Sequence, residues 1–564
     1  MSNDHTDNTN LAVVQSFDID RTNKRTDFMM DNYFINRRAA LSIIFGSWVG
    51  PRIVPKVKPI FRQLPDTHLQ LNLGHTGHEG GSWPTAQGNW QSTRNAEGSH
   101  ISVDTISNFD VSWSKELKTD ATYGAITSNP IVYDGFVYFI DQMSNVACIA
   151  LYDGSNIWSL KNDIPTAGPN GIAIKGSRLV AALGDSRGLQ CLDRNTGREL
   201  WRTEITQRLG LGASIAPVIY GDHVFAGVSP GGTSNLEYVP GAGGSLFCVD
   251  LESGMVVWEW ESTINNLWGH PEVNSGGGIW YPPSFDRKGT LYVGIGNPAP
   301  FPGTNNYPNA SSRNGDNSYT NSLVAIDVNT GSVMWHASIN PHDLYDHDNQ
   351  LSPIIVEGED KLGDSILIIT SGKHGYVVAC DHKSGEVVWR VAVGKHKNDG
   401  LHQLPSHFVE VFPGVFGGVL SPMAYSSGRV FVATINMSTE YSDTEHSISS
   451  FDRAESELVA LNVVDGSLIW KVKIPSGVFG SGPTVSNDLV FVASLDGAVG
   501  AYRTSDGAAI WSTLLPSGIN APIAIAGDSL VIPAGMYVVP QSDTPSNGEP
   551  PAFTPSLVCL RLTK

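Results

Sequence analysis

One arrangement of apolar and polar positions recurs along the chain. An apolar strand leads into a turn of the form Asp-x-x-x-Gly, and after three intervening residues comes a tryptophan. Cys191-Leu-Asp-Arg-Asn-Thr-Gly197-Arg-Glu-Leu-Trp201 shows it plainly. It returns as VDLESGMVVW ending at Trp258, IDVNTGSVMW at Trp335 and CDHKSGEVVW at Trp389. Looser copies are LYDGSNIW at Trp158, LNVVDGSLIW at Trp470 and YRTSDGAAIW at Trp511, while Trp113 in FDVSWSKEL keeps the strand rhythm without the turn. Segments such as PIVYDGFVYF, PVIYGDHVFAG and PTVSNDLVFVAS read as strand, turn, strand. Repeats every ~40 to 80 residues predict one four-stranded β unit per copy, with loop insertions. Asp and Gly make the hairpin turn, and Val or Ile at alternate positions faces a neighbouring unit. Trp supplies an apolar plate that wedges between units unable to bury their faces alone. Beyond residue 80 no segment has the 3.6-residue period of an amphipathic helix.

Composition agrees with an all-β chain. Its 564 residues include 59 Gly and 33 Pro, spread without low-complexity runs, as many tight turns require. A formal charge of -19 argues against non-specific nucleic-acid binding, which needs a basic face, and gives no reason to expect attraction to anionic lipid. Five cysteines (Cys148, Cys191, Cys248, Cys380, Cys559) stand far apart, with no CxxC or CxxCH. That excludes a c-type haem attachment within the sequence and argues against a zinc knuckle. Four of them sit in apolar runs and are expected to be buried thiols.

Residues 1–80 differ from the rest. MSNDHTDNTN is polar and aperiodic, as in a disordered start. Arg37-Arg38 then precedes the apolar stretch SIIFGSWVG, which is too short to span a bilayer. An arginine pair in this setting resembles a twin-arginine export signal, implying periplasmic or other extracytoplasmic placement of a protein exported folded. The expected organisation is a leader and linker over 1–80 and a single β domain over 81–564, with no membrane span.

Candidate chemistry concentrates in 276–348, which overlaps the interval stretched to 77 residues between Trp258 and Trp335. Gly294-Ile-Gly296-Asn297-Pro298-Ala-Pro300 reads as a strand end turning into a rigid loop that presents the Asn297 amide. An amide oxygen suits a hard cation, with carboxylates as natural companions. PHDLYDHD (341–348) packs three carboxylates and two imidazoles into eight residues. Alternation sends Asp346 and Asp348 one way and Asp343 and Tyr345 the other. Like charges that close are costly unless a cation lies between them; the alternative is a solvated acidic loop.

The tryptophan-ended repeats, the opening SWPTAQGNWQSTRN (82–95), and GxGNPAPF, GDNxYT and PHDxxDxD in that order resemble the quinoprotein alcohol dehydrogenase superfamily. The resemblance covers roughly 80–564. It implies an eight-bladed β-propeller of four-stranded blades, with SLVCLRL (556–562) closing the ring beside the strand of Trp113. It also implies pyrroloquinoline quinone (PQQ) as cofactor, with Ca2+ or a lanthanide ion. Asn297 would be a metal ligand, Asp346 the general base, and Trp280 the floor on which the quinone stacks. Asp348 is similar to the extra carboxylate of lanthanide-using members, and Glu237 in GVSPGGTSNLEYVPGAGG is the remaining metal-ligand candidate. Lys373 in SGKHGYVVACD and Asn436 in FVATINMS match residues that contact the cofactor. The chain departs from many relatives in having no adjacent cysteine pair; Met143-Ser144-Asn145 stands in the expected region. The reaction implied is oxidation of a small-molecule alcohol to a carbonyl, with electrons passed to a separate acceptor such as a cytochrome. Two rivals are a non-catalytic extracytoplasmic scaffold and a metal-dependent hydrolase or lyase using the His–Asp cluster.

Overall fold

The computed structural model describes residues 81–563, apart from 120, 122–123, 234–237, 360–361, 364, 475–477 and 537–553. The arginine pair and the rest of 1–80, and Glu237, lie outside the described residues. Eight antiparallel meander sheets follow one another along the chain. The first runs through Ile131–Tyr133, Phe136–Ile140, Val146–Ala150 and Asn156–Leu160. The eighth takes three strands from the C-terminal end, Ala524–Ala526, Ser529–Ala534 and Ser556–Leu562. Its outermost strand is Phe109–Glu116, which pairs antiparallel with Ser556–Leu562 as expected. Helix is confined to short turns such as Asn265–Trp268. Among the described residues no helix is long and apolar enough to cross a membrane.

The tryptophans join these sheets into a ring. Each lies on an outermost strand, and its indole N–H donates at 2.8–3.0 Å to a main-chain carbonyl in the last hairpin turn of the next sheet. Trp113 reaches Leu151, Trp158 reaches Arg194, Trp201 reaches Leu251 and Trp258 reaches Val328. Trp335 reaches His382, Trp389 reaches Val463 and Trp470 reaches Thr504. Trp511 completes the circle against Phe109 of the eighth sheet, ring centroids 5.6 Å apart. This is a β-propeller, and each blade buries its face against the next.

The repeat's small residues follow from the same contact. In the seven hairpin turns the glycine has φ between +69° and +74°, and an added Cβ would stand 2.5–2.9 Å from the docked indole. Gly is therefore required twice over, by backbone conformation and by space. Replacing Gly254 by Ala should destabilise the fold by about 2 kcal/mol or more, measured as a lower denaturation midpoint; an unchanged midpoint would refute the docking contact. Directly across the sheet from the tryptophans stand Cys148, Cys191, Cys248 and Cys559 in four blades. Ala325, Ala379, Ala460 and Ala501 take that place in the other four. All five cysteines are buried free thiols, four of them the small partner that the docking tryptophan needs.

The opening segment threads the centre of the ring. Trp83 exchanges main-chain hydrogen bonds with Val132, and Trp90 Nε1 donates to the Ile219 carbonyl. Trp90, Gln91, Thr93 and Arg94 then accept in turn from the N–H groups of Phe285, Ile355, Tyr425 and Val485. These four partners belong to the first strands of consecutive blades. Arg94, fully buried, adds contacts to the carbonyls of Ala86, Pro483 and Ile523 and to Gln87 and Thr484. The stretch 83–96 thus plugs the channel where the first strands run on away from the segments that precede them.

Candidate active site

Within a blade the first strand leaves one end of the ring and the second returns to it. The segment entering the first strand and the segment leaving the second therefore open at the same end, opposite the plug. Trp280 precedes Ser284–Phe285, and Asp346 and Asp348 precede Ile354–Val356. Asn297 follows Thr290–Gly294, Lys373 follows Leu367–Thr370, and Asn436 ends Arg429–Asn436. The topology alone gathers five segments from three consecutive blades.

At their centre Lys373 Nζ lies 2.8 Å from Asp346 Oδ2 and 2.7 Å from Asp348 Oδ2. The cation between the two carboxylates is thus supplied by the chain itself. Asp348 Oδ1 accepts the Asn297 main-chain N–H at 2.6 Å. Asn297 Oδ1 accepts the Tyr238 hydroxyl at 3.0 Å and Nδ2 donates to the Pro298 carbonyl. Trp280 is half-buried. Its Nε1 would lie 3.0 Å, and Asp348 Oδ1 2.7 Å, from a Cβ placed on Gly296. The absent side chain of Gly296 lets the indole, Asp348 and Asn297 converge. Gly296→Ala should force these groups apart and destabilise the fold by about 1 kcal/mol or more, read as a lower denaturation midpoint; an unchanged midpoint would contradict this packing.

Asp346 has φ +64°, a strained backbone region for a residue with a side chain. Its carboxylate is buried and Oδ1 has no hydrogen-bond partner. Burial pushes its carboxyl well above the ordinary aspartate range; Lys373 opposes the shift and Asp348 adds to it. Burial works against the Lys373 ammonium, yet the two aspartates outweigh it and hold that group above the usual lysine range.

Asp343 turns away, as the alternation predicts. Its oxygens accept the N–H groups of Tyr345 and His347 and the Asn340 amide, so it shapes the loop. His347 Nε2 meets the Pro413 carbonyl, and His374 Nε2 meets Asn349 while Nδ1 accepts the Tyr376 N–H. Burial lowers both imidazoles below their ordinary range. Both rings are engaged by protein groups, whereas His342, the other imidazole of the aspartate segment, keeps a buried Nδ1 without a partner. Among the described residues no three His, Cys, Asp or Glu side chains form a metal cage.

Asn436 is buried in the next blade, but its Oδ1 accepts the Lys395 N–H at 2.7 Å. Tyr238 and Arg313 were not signalled by any motif. Arg313 donates to the Pro300 and Asp343 carbonyls and to Asn317, fastening the Asn297 loop to the aspartate loop. Met143-Ser144-Asn145 is a turn drawn together by Asp141. From the early blades Gly168 lies beside Trp280, where an added Cβ would lie 3.5 Å from the indole. Thr127 and Gln142 both donate to its carbonyl.

Comparison with known proteins bears on this geometry. A family described as glucose/ethanol/alcohol dehydrogenase, beta-propeller domain, matches residues 206–399, the span that holds most of the site. The quinohemoprotein alcohol dehydrogenase of Comamonas testosteroni is 25% identical over 493 residues, covering 75% of this chain and 68% of that protein. Over these spans the chain is similar to the quinoprotein alcohol dehydrogenase superfamily. The quinoprotein ethanol dehydrogenase of Pseudomonas aeruginosa is 22% identical, covering 71% of this chain and 77% of its own length. Two quinohemoprotein alcohol dehydrogenases of Pseudomonas putida are matched over only 48% and 45% of their length. The crystal structure of the Comamonas testosteroni enzyme covers 87% of this chain and 82% of its own chain, with TM-score 0.73 and 19% identity. A europium-containing methanol dehydrogenase covers 86% and 99%, with TM-score 0.72 and 18% identity. A second family, described as outer membrane protein assembly factor BamB, matches residues 373–544, where the tryptophan repeat continues.

Proposed function

We propose that the chain oxidises an alcohol to a carbonyl with PQQ as two-electron acceptor. The observation that carries this reading is Asp346, a buried carboxylate with one oxygen on Lys373 and the other without a partner. The surroundings suit both missing groups. Asp346, Asp348 and Lys373 together carry one net negative charge, which a further cation neutralises, and the half-buried Trp280 offers an aromatic face to a planar ring. Asn297 Oδ1 keeps a second lone pair beyond the one used by Tyr238. Asn297 and Glu237 would hold the cation; Trp280 and Lys373 would hold the quinone, with Asn436 at its margin. Bound there, the quinone supplies the two-electron acceptor and the cation a Lewis acid that polarises it.

The remaining work falls to the chain. Asp346 Oδ1 takes the hydroxyl proton of the alcohol, and burial makes it a stronger base than an exposed aspartate. Lys373 fixes the orientation of that carboxylate through Oδ2. The Asn297 loop is held by Asp348 on one side and by Arg313 through Pro300 on the other. With no CxxCH in the sequence, the electrons leave to a separate acceptor, and Arg37-Arg38 directs the folded protein out of the cytoplasm. The scaffold alternative is not favoured, because the relatives matched most extensively are dehydrogenases. The test is to reconstitute the purified chain with PQQ and calcium and measure dye reduction across primary and secondary alcohols. Alcohol-dependent reduction is expected; none with any alcohol would overturn the assignment.

A further inference from the structure

We propose that His396, as an imidazolium, is a positioning residue that locks the turn carrying Lys373 to the segment that holds the Asp346 loop. The inference rests on the reading above only for the roles of Asp346 and Lys373; the link itself stands without a quinone. His396 follows the outer strand Val387–Ala392 and opens the segment 396–412. Its Nδ1 meets Asp399 Oδ2 at 2.6 Å, and its Nε2 meets the Gly375 carbonyl at 3.2 Å. Gly375 closes the Lys373 turn, its N–H donating to the Gly372 carbonyl at 3.0 Å. On the other side, main-chain hydrogen bonds between Lys397 and Phe412 form the neck of the segment. Beyond the neck, the Tyr345 hydroxyl donates to the Leu401 carbonyl at 2.7 Å, with the Asn398 carbonyl 3.3 Å away. Tyr345 is buried and directly precedes Asp346. One ring therefore joins the two loops whose side chains form the Lys373–Asp346 ion pair.

Both contacts need a hydrogen on the ring. A carbonyl oxygen only accepts, so Nε2 must carry one, and an ionised carboxylate accepts from a second on Nδ1. A neutral imidazole has a single N–H and satisfies only one of the two. The groups facing His396 are Asp399 on its own segment, Tyr376 at a ring separation of 4.7 Å, and Arg390, which lies over Tyr376. The buried imidazoles of His374 and His347 also feel its charge. Its chain neighbours Lys395 and Lys397 are turned to Glu455 and Glu410. Burial opposes the charge on the ring, and Asp399 with the Gly375 carbonyl outweighs it, raising His396 above the ordinary histidine range. Burial likewise works against the Asp399 carboxylate, but His396 holds that group below the usual aspartate range. A histidine raised in the folded state gives its full stabilisation below its ordinary value of about 6.5 and loses it as pH climbs through the folded-state value. The link is thus closed in acid and loosens in alkali.

The experiment is amide hydrogen exchange on the full chain without cofactor, read by mass spectrometry and corrected for intrinsic exchange. It runs from about pH 5.5 to about 8.5, bracketing the ordinary histidine value. Wild type is compared with His396→Gln and Asp399→Asn. In wild type, opening of peptides covering 397–404 and 343–349 is expected to rise together by about tenfold over this range, the scale of one charge-assisted hydrogen bond. His396→Gln should show the raised opening already at the acid end, with no further rise. Asp399→Asn should keep both segments protected at the alkaline end. Its amide donates to Nδ1 while a neutral ring keeps the Nε2 hydrogen for Gly375, so both contacts survive. Wild-type opening that does not change with pH overturns the inference, as does a rise in 397–404 that leaves 343–349 unchanged. An Asp399→Asn protein that loosens with pH as wild type does also overturns it. Failure of the chain to bind PQQ would overturn the cofactor reading instead, and the exchange result would stand apart from it.

Discussion

Asp346→Asn is expected to lower alcohol-dependent turnover by about 10³-fold while leaving PQQ binding intact. The factor is that of a positioned general base. Asparagine tolerates the left-handed backbone that Asp346 adopts, and its carbonyl oxygen can still accept from Lys373, so fold and cofactor site should persist. What is lost is the basic oxygen Oδ1. The pH dependence follows in sign. The reaction needs the ionised carboxylate, and burial raises the folded-state pKa, so the wild-type rate falls as pH drops through a value above the ordinary aspartate range. Lys373, which opposes that shift, keeps this acid limb from lying higher still, and a bound cation acts in the same direction. Steady-state rates from pH 4 to 9 check this. Substantial turnover in Asp346→Asn, or a rate flat with pH, would remove Asp346 from the role.

The second large effect is expected at Arg94, which acts through the fold it closes. Arg94 touches none of the reacting groups; it holds the plug that closes the ring. Its guanidinium is fully buried without a carboxylate partner, and its donors are matched by three carbonyls and two side-chain oxygens from the plug and the last two blades. Burial pulls its basicity below the ordinary range for arginine, so the charge persists only because every direction is hydrogen-bonded. Arg94→Leu would leave several buried acceptors without donors, at about 1–3 kcal/mol each. A loss of about 4 kcal/mol or more is expected, seen as a sharply lower denaturation midpoint or as insoluble protein. Lysine should not rescue it, because a single ammonium cannot reproduce the planar fork. A midpoint within about 0.5 kcal/mol of wild type, the range of ordinary surface substitutions, would contradict the role given to the plug.

The ring was legible because it is built from local repeats. Each tryptophan lies four residues after its turn glycine, and both halves of the docking contact recur at that spacing, so a single copy teaches the rest. The closing pair, Phe109–Glu116 with Ser556–Leu562, was legible too, since an unpaired apolar strand at each end leaves little else for either to do. The site was legible only in part. Alternation along 343–348 correctly separated Asp346 and Asp348 from Asp343, but nothing in the spacing shows that Lys373, 25 residues later, sits between the two aspartates. Tyr238, Arg313 and Gly168 enter through contacts between blades, and such contacts follow from the curvature of the ring rather than from any local pattern. The role of Arg94 was hidden for the same reason: its partners Thr484 and Ile523 stand almost four hundred residues or more away in sequence.

The propeller is proposed to hold a quinone at Trp280 beside Asp346. The most direct measurement is the stoichiometry of PQQ on the purified full chain with calcium, followed by quenching of tryptophan fluorescence and by absorbance of the bound quinone, in wild type and in Trp280→Ala. One PQQ per wild-type chain is expected, with binding weakened about tenfold or more in the variant, the scale of a lost aromatic stacking contact. Absence of saturable PQQ binding to the wild type, or equal binding by both proteins, would contradict it.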